Sequence, residues 1–250
     1  MEERFSETQT VQEEQYRFPH HYVPQFKGGF STSVYSGFGI NYVSTIEFLL
    51  SKLDKIEFNS LADIGAGDGR LVKELAEQYP TKKVTGIDYS QRAINMAKGL
   101  NPTLDFIKAD IINDNILKKF DILTLIEVFE HIPIEICDDF VNALHELLNG
   151  NGLLLLTVPH VNKPVSKKHY QHFSSTSLKE YFEKKFFVEE EIFFEVKNWR
   201  LFFIRKLLKN KLFLLNNQWM LNCLYKSYKK HCFYTVEKDC GRIFLKLRKK

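Results

Sequence analysis

From residue 60 onward, short apolar runs alternate with stretches whose apolar residues recur at helical spacing. SLADIG (60–65) and KKVTGID (82–88) have the length and composition of buried strands. Between them lies RLVKELAEQY (70–79), where Leu71, Val72 and Leu75 share one helical face. The alternation continues through QRAINMAKGL (91–100), a helix that Ser90 can cap, and LDFIKAD (104–110), a strand. FDILTLIE (120–127) is a fourth strand, IEICDDFVNALHELL (134–148) a helix closed by Asn149-Gly150, and GLLLLTVP (152–159) a fifth strand. Strands that are apolar on both faces and joined by helices predict an α/β fold, with a mostly parallel sheet covered on both sides.

The flanks carry weaker patterns. A helix is expected at 41–54 (NYVSTIEFLLSKLD) and another in SLKEYFEKKF, while FFVEEEIFFEV extends the sheet. WRLFFIRKLLKNKLFLLNNQWMLNCLYKSYKK is expected to be helical and basic, and GRIFLKLRK supplies a last strand. The organisation expected is an N-terminal tail, lid and first helix (1–57), a core (58–196) and a basic, mostly helical extension (197–250).

Composition adds limits to this scheme. With 250 residues and 44% hydrophobic content, the chain has ample material for a core. Four cysteines without CxxC spacing disfavour a zinc or disulfide framework, and the acidic, polar MEERFSETQTVQEEQ lacks the apolar centre of a signal peptide. A cytoplasmic protein is expected, and residues 1 to about 15 are expected to be loosely ordered. The net charge of +4 is unevenly spread: from Lys197 to Lys250 there are fifteen Lys or Arg against Glu237 and Asp239.

The most specific motif is Asp63-Ile-Gly65-Ala-Gly67-Asp-Gly69, between the first strand and its helix. Glycines there allow a sharp turn and close approach of backbone to ligand, and the following strands end in Asp88, Asp110 and Glu127. Ligands of open α/β sheets bind beyond the carboxyl ends of the strands, so these acids line the expected site. An acidic rim suits a cationic nucleoside better than phosphates, although a phosphate-binding fold is the alternative. The DxGxGxG loop followed by acids on strands two, three and four resembles class I S-adenosylmethionine-dependent methyltransferases, over about residues 58–195. The resemblance implies a Rossmann-like sheet, with S-adenosylmethionine contacted by Asp63, Gly65, Ala66, Gly67, Gly69, Asp88, Tyr89, Asp110, Ile111 and Glu127. Asp88 would hold the ribose hydroxyls and Asp110 the adenine amine.

TLIEVFEHIP (124–133) carries the candidate chemistry. If the chain turns helically after the fourth strand, Glu127, Glu130 and His131 can share one face. Downstream, HYQHF places His169 and His172 near the same sheet edge. E-x-x-E-H with a later His before Phe is similar to metal-holding O-methyltransferases of the small-RNA ribose 2′-O and ubiquinone-pathway types. That resemblance implies Glu127, Glu130, His131 and His172, or His169 in place of His172, as ligands of Mg²⁺, Mn²⁺ or Zn²⁺. Phe173-Ser174-Ser175 departs from the RNA branch, which has Phe-Glu-Trp there. The residues leave three readings open: a divalent-cation site, His131 with Glu130 as a metal-free catalytic pair, and a structural cluster.

Residues 16–42 include Tyr16, Phe18, Tyr22, Phe26, Phe30, Tyr35, Phe38 and Tyr42. They form either a lid over the site or packing for the first helix. The basic tail suits RNA, a membrane surface, or packing with a solvated basic face. The expectation is methyl transfer to a hydroxyl of a sugar, glycan precursor or small metabolite. RNA ribose and a non-catalytic scaffold are the alternatives, and the oligomeric state is left open.

Overall fold

The computed structural model describes residues 8–11, 19–31, 39–209, 212–213 and 215–250. Tyr16, Phe18, Tyr35 and Phe38 of the expected lid, and most of the N-terminal tail, lie outside them. By internal contacts the chain forms two units. One contains Phe58–Glu191 and Arg242–Lys250, the other Pro19–Glu57 and Ile192–Gly241.

The first unit is built on a sheet of β1 (Ser60–Ile64), β2 (Lys83–Asp88), β3 (Asp105–Lys108), β4 (Phe120–Ile126), β5 (Leu148–Pro159), β6 (Phe186–Phe194) and β8 (Arg242–Lys249). Their order is β3-β2-β1-β4-β5-β8-β6. The first five strands are parallel, and β8 runs antiparallel to β5, with Pro159 opposite Arg242. The topological switch falls between β1 and β4, where the chain leaves β3 and returns on the other side of β1. The expected last strand is therefore β8, inserted beside β5 rather than added at an edge. The sheet is a mostly parallel, Rossmann-like one, as its alternating pattern indicated.

Helices α2 (Arg70–Gln78), α3 (Gln91–Leu100), α4 (Cys137–Leu147) and α5 (Ser175–Phe182) accompany this sheet. Their apolar stripes are buried: Leu71, Val72 and Leu75 on α2, and Phe140, Val141 and Leu144 on α4. Ser90 Oγ accepts the Ala93 N–H at 3.1 Å, and Ser174 caps α5 in a reciprocal box with Ser177.

Three boundaries differ from expectation. Strand β3 stops at Lys108 because Asp110 folds its side chain back onto the Ile112 N–H, starting a turn. Strand β5 begins at Leu148, four residues early: Asn149 Nδ2 donates to Asp121 at 2.8 Å, tying Asn149-Gly150 into the sheet. Helix α4 begins at Cys137, after a separate 3-10 turn at Ile134–Ile136.

In the second unit α1 (Gly39–Leu53) buries Val43, Ile46, Leu49 and Leu53, and Phe48 meets Phe194 with ring centroids 4.8 Å apart. The last residues of β6 pair with β7 (Tyr234–Thr235). The long basic stretch contains two helices, α6 (Trp199–Leu208) and α7 (Gln218–Tyr228). The break has a local cause, since Asn217 takes the Met220 N–H on its side chain and so starts a new helix. Phe30, from the aromatic N-terminal stretch, stacks on Tyr225 at 4.9 Å and is buried, the behaviour expected of packing. The four cysteines are free thiols.

Candidate active site

The turn after β1 is shaped by three residues in the left-handed region, Gly65 (φ 75°), Gly67 (φ 55°) and Gly69 (φ 79°). Only glycine enters this region without cost, so the chain can reverse within five residues and enter α2 directly. Gly65 N and Ala66 N both donate to the Ile87 carbonyl, at 2.8 and 3.1 Å, which ties the loop to β2. Gly67 N donates to Asp88 Oδ2 at 2.8 Å, and Ser90 N to Asp88 Oδ1 at 2.9 Å. Asp88 thus braces the glycine loop from the end of β2.

Asp63 is buried one strand residue before this turn. Its register partner on β4 is Thr124, whose hydroxyl donates to Asp63 Oδ1 at 2.7 Å. Burial raises the Asp63 carboxyl to about 7 against the lowering effect of that hydrogen bond, and the charge of Asp88 adds to the rise. Two buried carboxyl groups, Asp63 and Asp88, thus lie near the carboxyl ends of adjacent strands, an arrangement that welcomes a cation. Asp110 and Ile111 occupy the half-buried turn after β3, where Asp110 Oδ2 accepts from Asn113 at 2.8 Å. Tyr89, between Asp88 and Ser90, is largely buried.

Glu127 is the first residue after β4 and adopts φ 57°. That left-handed step places it outside the short helical turn Phe129–His131, so Glu127, Glu130 and His131 do not form one helical face. The Glu127 carboxylate instead faces Thr157 Oγ1 and Arg242 Nε, each at 3.1 Å. Arg242 gave no sequence signal, because its place beside Glu127 depends on β8 being the strand next to β5.

The fold gathers a different trio, Glu130, His131 and His169, each offering a ligand atom within 4.8 Å of the others. Glu130 is fully buried and neither carboxylate oxygen accepts a hydrogen bond. Burial, and secondarily the charge of Glu127, raise its pKa well above the usual carboxylate range. His131 Nδ1 donates to the Lys168 carbonyl at 2.7 Å, which leaves a lone pair on Nε2, 3.9 Å from Glu130 Oε1. His172 Nδ1 likewise donates to the Lys163 carbonyl at 3.0 Å, so its Nε2 accepts from His169 Nδ1 at 2.7 Å. The lone pair of His169 is then on Nε2. His172, the expected ligand, orients His169.

Burial holds both imidazoles neutral, His131 at about 4 with help from Lys168 and His169 at about 3 with help from His131. Near neutral pH the cluster contains two imidazole lone pairs and a buried carboxyl without a hydrogen-bond donor. Such a set suits a divalent cation: the donor atoms match, and an ion would satisfy the orphaned Glu130 oxygens.

Aromatic packing holds the cluster in register. Phe129 is fully buried and stacks on Phe173 at 5.2 Å, drawing the histidine loop against the turn that carries Glu130 and His131. Backbone bonds close the loop, with Phe173 N donating to the Pro159 carbonyl and Tyr170 N to the Glu130 carbonyl.

A family profile described as a methyltransferase domain matches residues 62–154. The chain is 30% identical over 111 residues to trans-aconitate 2-methyltransferase of Afipia carboxidovorans, covering 44% of this chain and 43% of that protein. It is 34% identical over 104 residues to the mitochondrial ubiquinone biosynthesis O-methyltransferase of Schizosaccharomyces pombe, covering 39% and 36%. The chain thus matches less than half the length of these relatives. Its fold is similar to that of the N-methyltransferase NodS from Bradyrhizobium japonicum, solved with S-adenosyl-L-homocysteine, at a TM-score of 0.56 and 13% identity over 85% of this chain and 87% of that one. Residues 62–154 thus match a methyltransferase-domain profile, and the Rossmann-like fold that contains them is similar to that of a solved methyltransferase.

Proposed function

We propose that this chain transfers a methyl group from S-adenosylmethionine to a hydroxyl of a small polar acceptor, such as a sugar, glycan precursor or metabolite. A divalent cation held by Glu130, His131 and His169 would assist. The observation that carries the reading is the position of this trio. Gly65 packs on Val128, so the glycine turn is in contact with the segment that leads into Glu130 and His131.

The donor end follows from the acids. Asp88, an acid at the end of β2, suits a ribose diol, and the carboxyl of Asp63 suits the positive charge of the methionine part. In the transfer the acceptor oxygen bonds to the methyl carbon as the carbon–sulfur bond breaks, releasing S-adenosylhomocysteine, while the hydroxyl proton leaves to solvent. Alignment is the main requirement, and a rigid turn anchored by Phe129 supplies it.

The hydroxyl proton decides between a base and a cation. A His131 imidazole held near 4 is a weak base for an alcohol, although fully in its base form. A cation in the trio would lower the pKa of a coordinated hydroxyl by several units. The name of one relative, an O-methyltransferase of ubiquinone biosynthesis, supports an oxygen acceptor, and that of another, a trans-aconitate methyltransferase, supports a small molecule.

The test is transfer of labelled methyl from S-adenosylmethionine into panels of hydroxyl-bearing metabolites, glycan precursors and RNA. Each panel is run with chelator and with added Mg²⁺, Mn²⁺ or Zn²⁺. Incorporation into a small acceptor that chelation stops and one ion restores supports the proposal. Incorporation that persists in chelator removes the cation, and S-adenosylhomocysteine failing to bind in calorimetry removes methyl transfer altogether.

A further inference from the structure

Helices α6 and α7 of the second unit expose apolar surface that folding leaves uncovered. On α6, Leu201 and Ile204 are buried, while Trp199, Phe202, Phe203 and Lys206, spaced i, i+3, i+4 and i+7, face solvent. Trp199 is 69% exposed, Phe202 63% and Phe203 56%, so the helix has two apolar faces where one would suffice for packing. On α7, which touches α6, Trp219 is 74% exposed and Met220 41%, with exposed Cys223 and Lys226 continuing the Trp219 side. Of the six exposed Trp and Phe among the described residues, five lie between 199 and 219, and only Phe187 lies elsewhere. Scattered exposed aromatics need no explanation, but this concentration does.

The two helices are strongly basic, although Arg205 pairs with Glu195 and Lys229 with Glu47. Residues 199–230 contain eight Lys or Arg (200, 205, 206, 209, 211, 226, 229 and 230) and no Asp or Glu. Arg200 lies over the Trp199 ring, 5.3 Å from its centroid, and Lys206 lies 6.0 Å from that of Phe202. We propose that α6 and α7 form a docking surface for an anionic lipid bilayer, with Trp199, Phe202, Phe203 and Trp219 entering the interfacial layer and the bases meeting lipid phosphates. Among the described residues no helix is long and apolar enough to cross a membrane, so the contact is with the surface.

Two other occupants fit less well. An isologous contact with a second copy sets the same patch against itself, and its net positive charge, even with Arg205 and Lys229 paired to acids, would repel. A nucleic-acid face puts bases outermost, with rings in a groove to stack on nucleobases. Here the rings are themselves the exposed groups.

The chain's only two tryptophans, Trp199 and Trp219, both report on this surface. The full-length protein is mixed with vesicles of phosphatidylcholine alone, or with about one third phosphatidylglycerol, and tryptophan emission and co-sedimentation are followed. The expected result is a blue shift and sedimentation with the anionic vesicles, both much reduced without phosphatidylglycerol or at high salt. A variant carrying Phe202→Ser and Phe203→Ser, both exposed positions, should keep the parent's melting temperature and lose about tenfold or more in vesicle affinity. An unshifted spectrum with anionic vesicles overturns the proposal, as does parent-like vesicle binding by the double variant. A blue shift with short single-stranded RNA that equals the one with vesicles overturns it in favour of nucleic acid.

Discussion

A Cβ on Gly65 would stand 2.5 Å from Cγ2 of Val128, closer than any side chain tolerates. The same residue has φ 75°, which costs other L-residues roughly 1–2 kcal/mol. Gly65→Ala therefore meets strain and a clash together, and the loop must retreat from the segment that carries Glu130 and His131. The expected outcome is at least a tenfold loss of S-adenosylhomocysteine affinity by calorimetry, with a lower melting temperature. Adding Val128→Ala removes the clash and leaves the dihedral strain, so it should restore part of the affinity. Parent-like binding by Gly65→Ala alone would show that the close packing has no role in holding the cofactor.

Asp63 makes a prediction about pH. Its folded pKa of about 7, raised chiefly by burial, lies above the value near 4 of an unfolded chain. Between those limits the folded state holds a proton that the unfolded state has released. The stability present below about pH 4 is therefore lost as pH rises through about 7. Three pH units correspond to an effect on the order of 4 kcal/mol. Asp63→Asn keeps an acceptor for the Thr124 hydroxyl without the charge. Denaturant titrations at pH 5 and pH 8 should show the variant gaining stability relative to the parent at the higher pH. Parallel profiles for the two proteins would mean that Asp63 is ionised normally in the fold.

The glycine turn and the acid closing β2 were legible because they are local: a strand, a turn and a helix follow one another in sequence, and Asp88 ends the next strand. The helix on α2 and the strands β1, β2 and β4 follow the same reasoning, their apolar periods being strong and uninterrupted. What depends on distant partners was not legible. His169 and His172 are equally spaced for a ligand, and only their hydrogen bonds, one chain of donors running from His169 to His172 to Lys163, separate the roles. The bonds of Glu127 to Thr157 and Arg242, and its left-handed backbone, also depend on strands far away in sequence. Asn217 was visible as a residue type, but its capping role is hidden in a stretch that reads as helical and basic on both sides of it.

Glu130 should behave as a group retained at the expense of stability. A buried carboxyl without hydrogen bonds costs roughly 1–3 kcal/mol, and Glu130→Gln brings a donor to the lone pair on His131. In chelator the variant should melt at or above the parent's temperature. The parent should gain several degrees with Mn²⁺ or Zn²⁺, and the variant should not, because a neutral amide is a poor ligand for a divalent ion. Equal ion-induced shifts in both proteins would place the ion somewhere other than Glu130.

Phe129 tests whether the trio depends on the packing beneath it. The ring meets Phe173 at 5.2 Å, Phe182 at 5.0 Å and Tyr181 at 5.4 Å, so it joins the Glu130–His131 turn to the histidine loop and to α5. Phe129→Ala should cost about 3–5 kcal/mol in unfolding free energy from the cavity alone. The milder Phe129→Leu keeps most of the volume and loses the stacking on Phe173, so the loop bearing His169 can drift while the protein stays folded. Phe182→Leu is the comparison, since Phe182 is buried in the same cluster but belongs to α5 and not to either segment of the trio. Both leucine variants should lose similar stability in denaturant titrations. Only Phe129→Leu should also reduce the melting-temperature gain from added ion. If the two variants respond to the ion alike, Phe129 contributes packing and does not position the cluster.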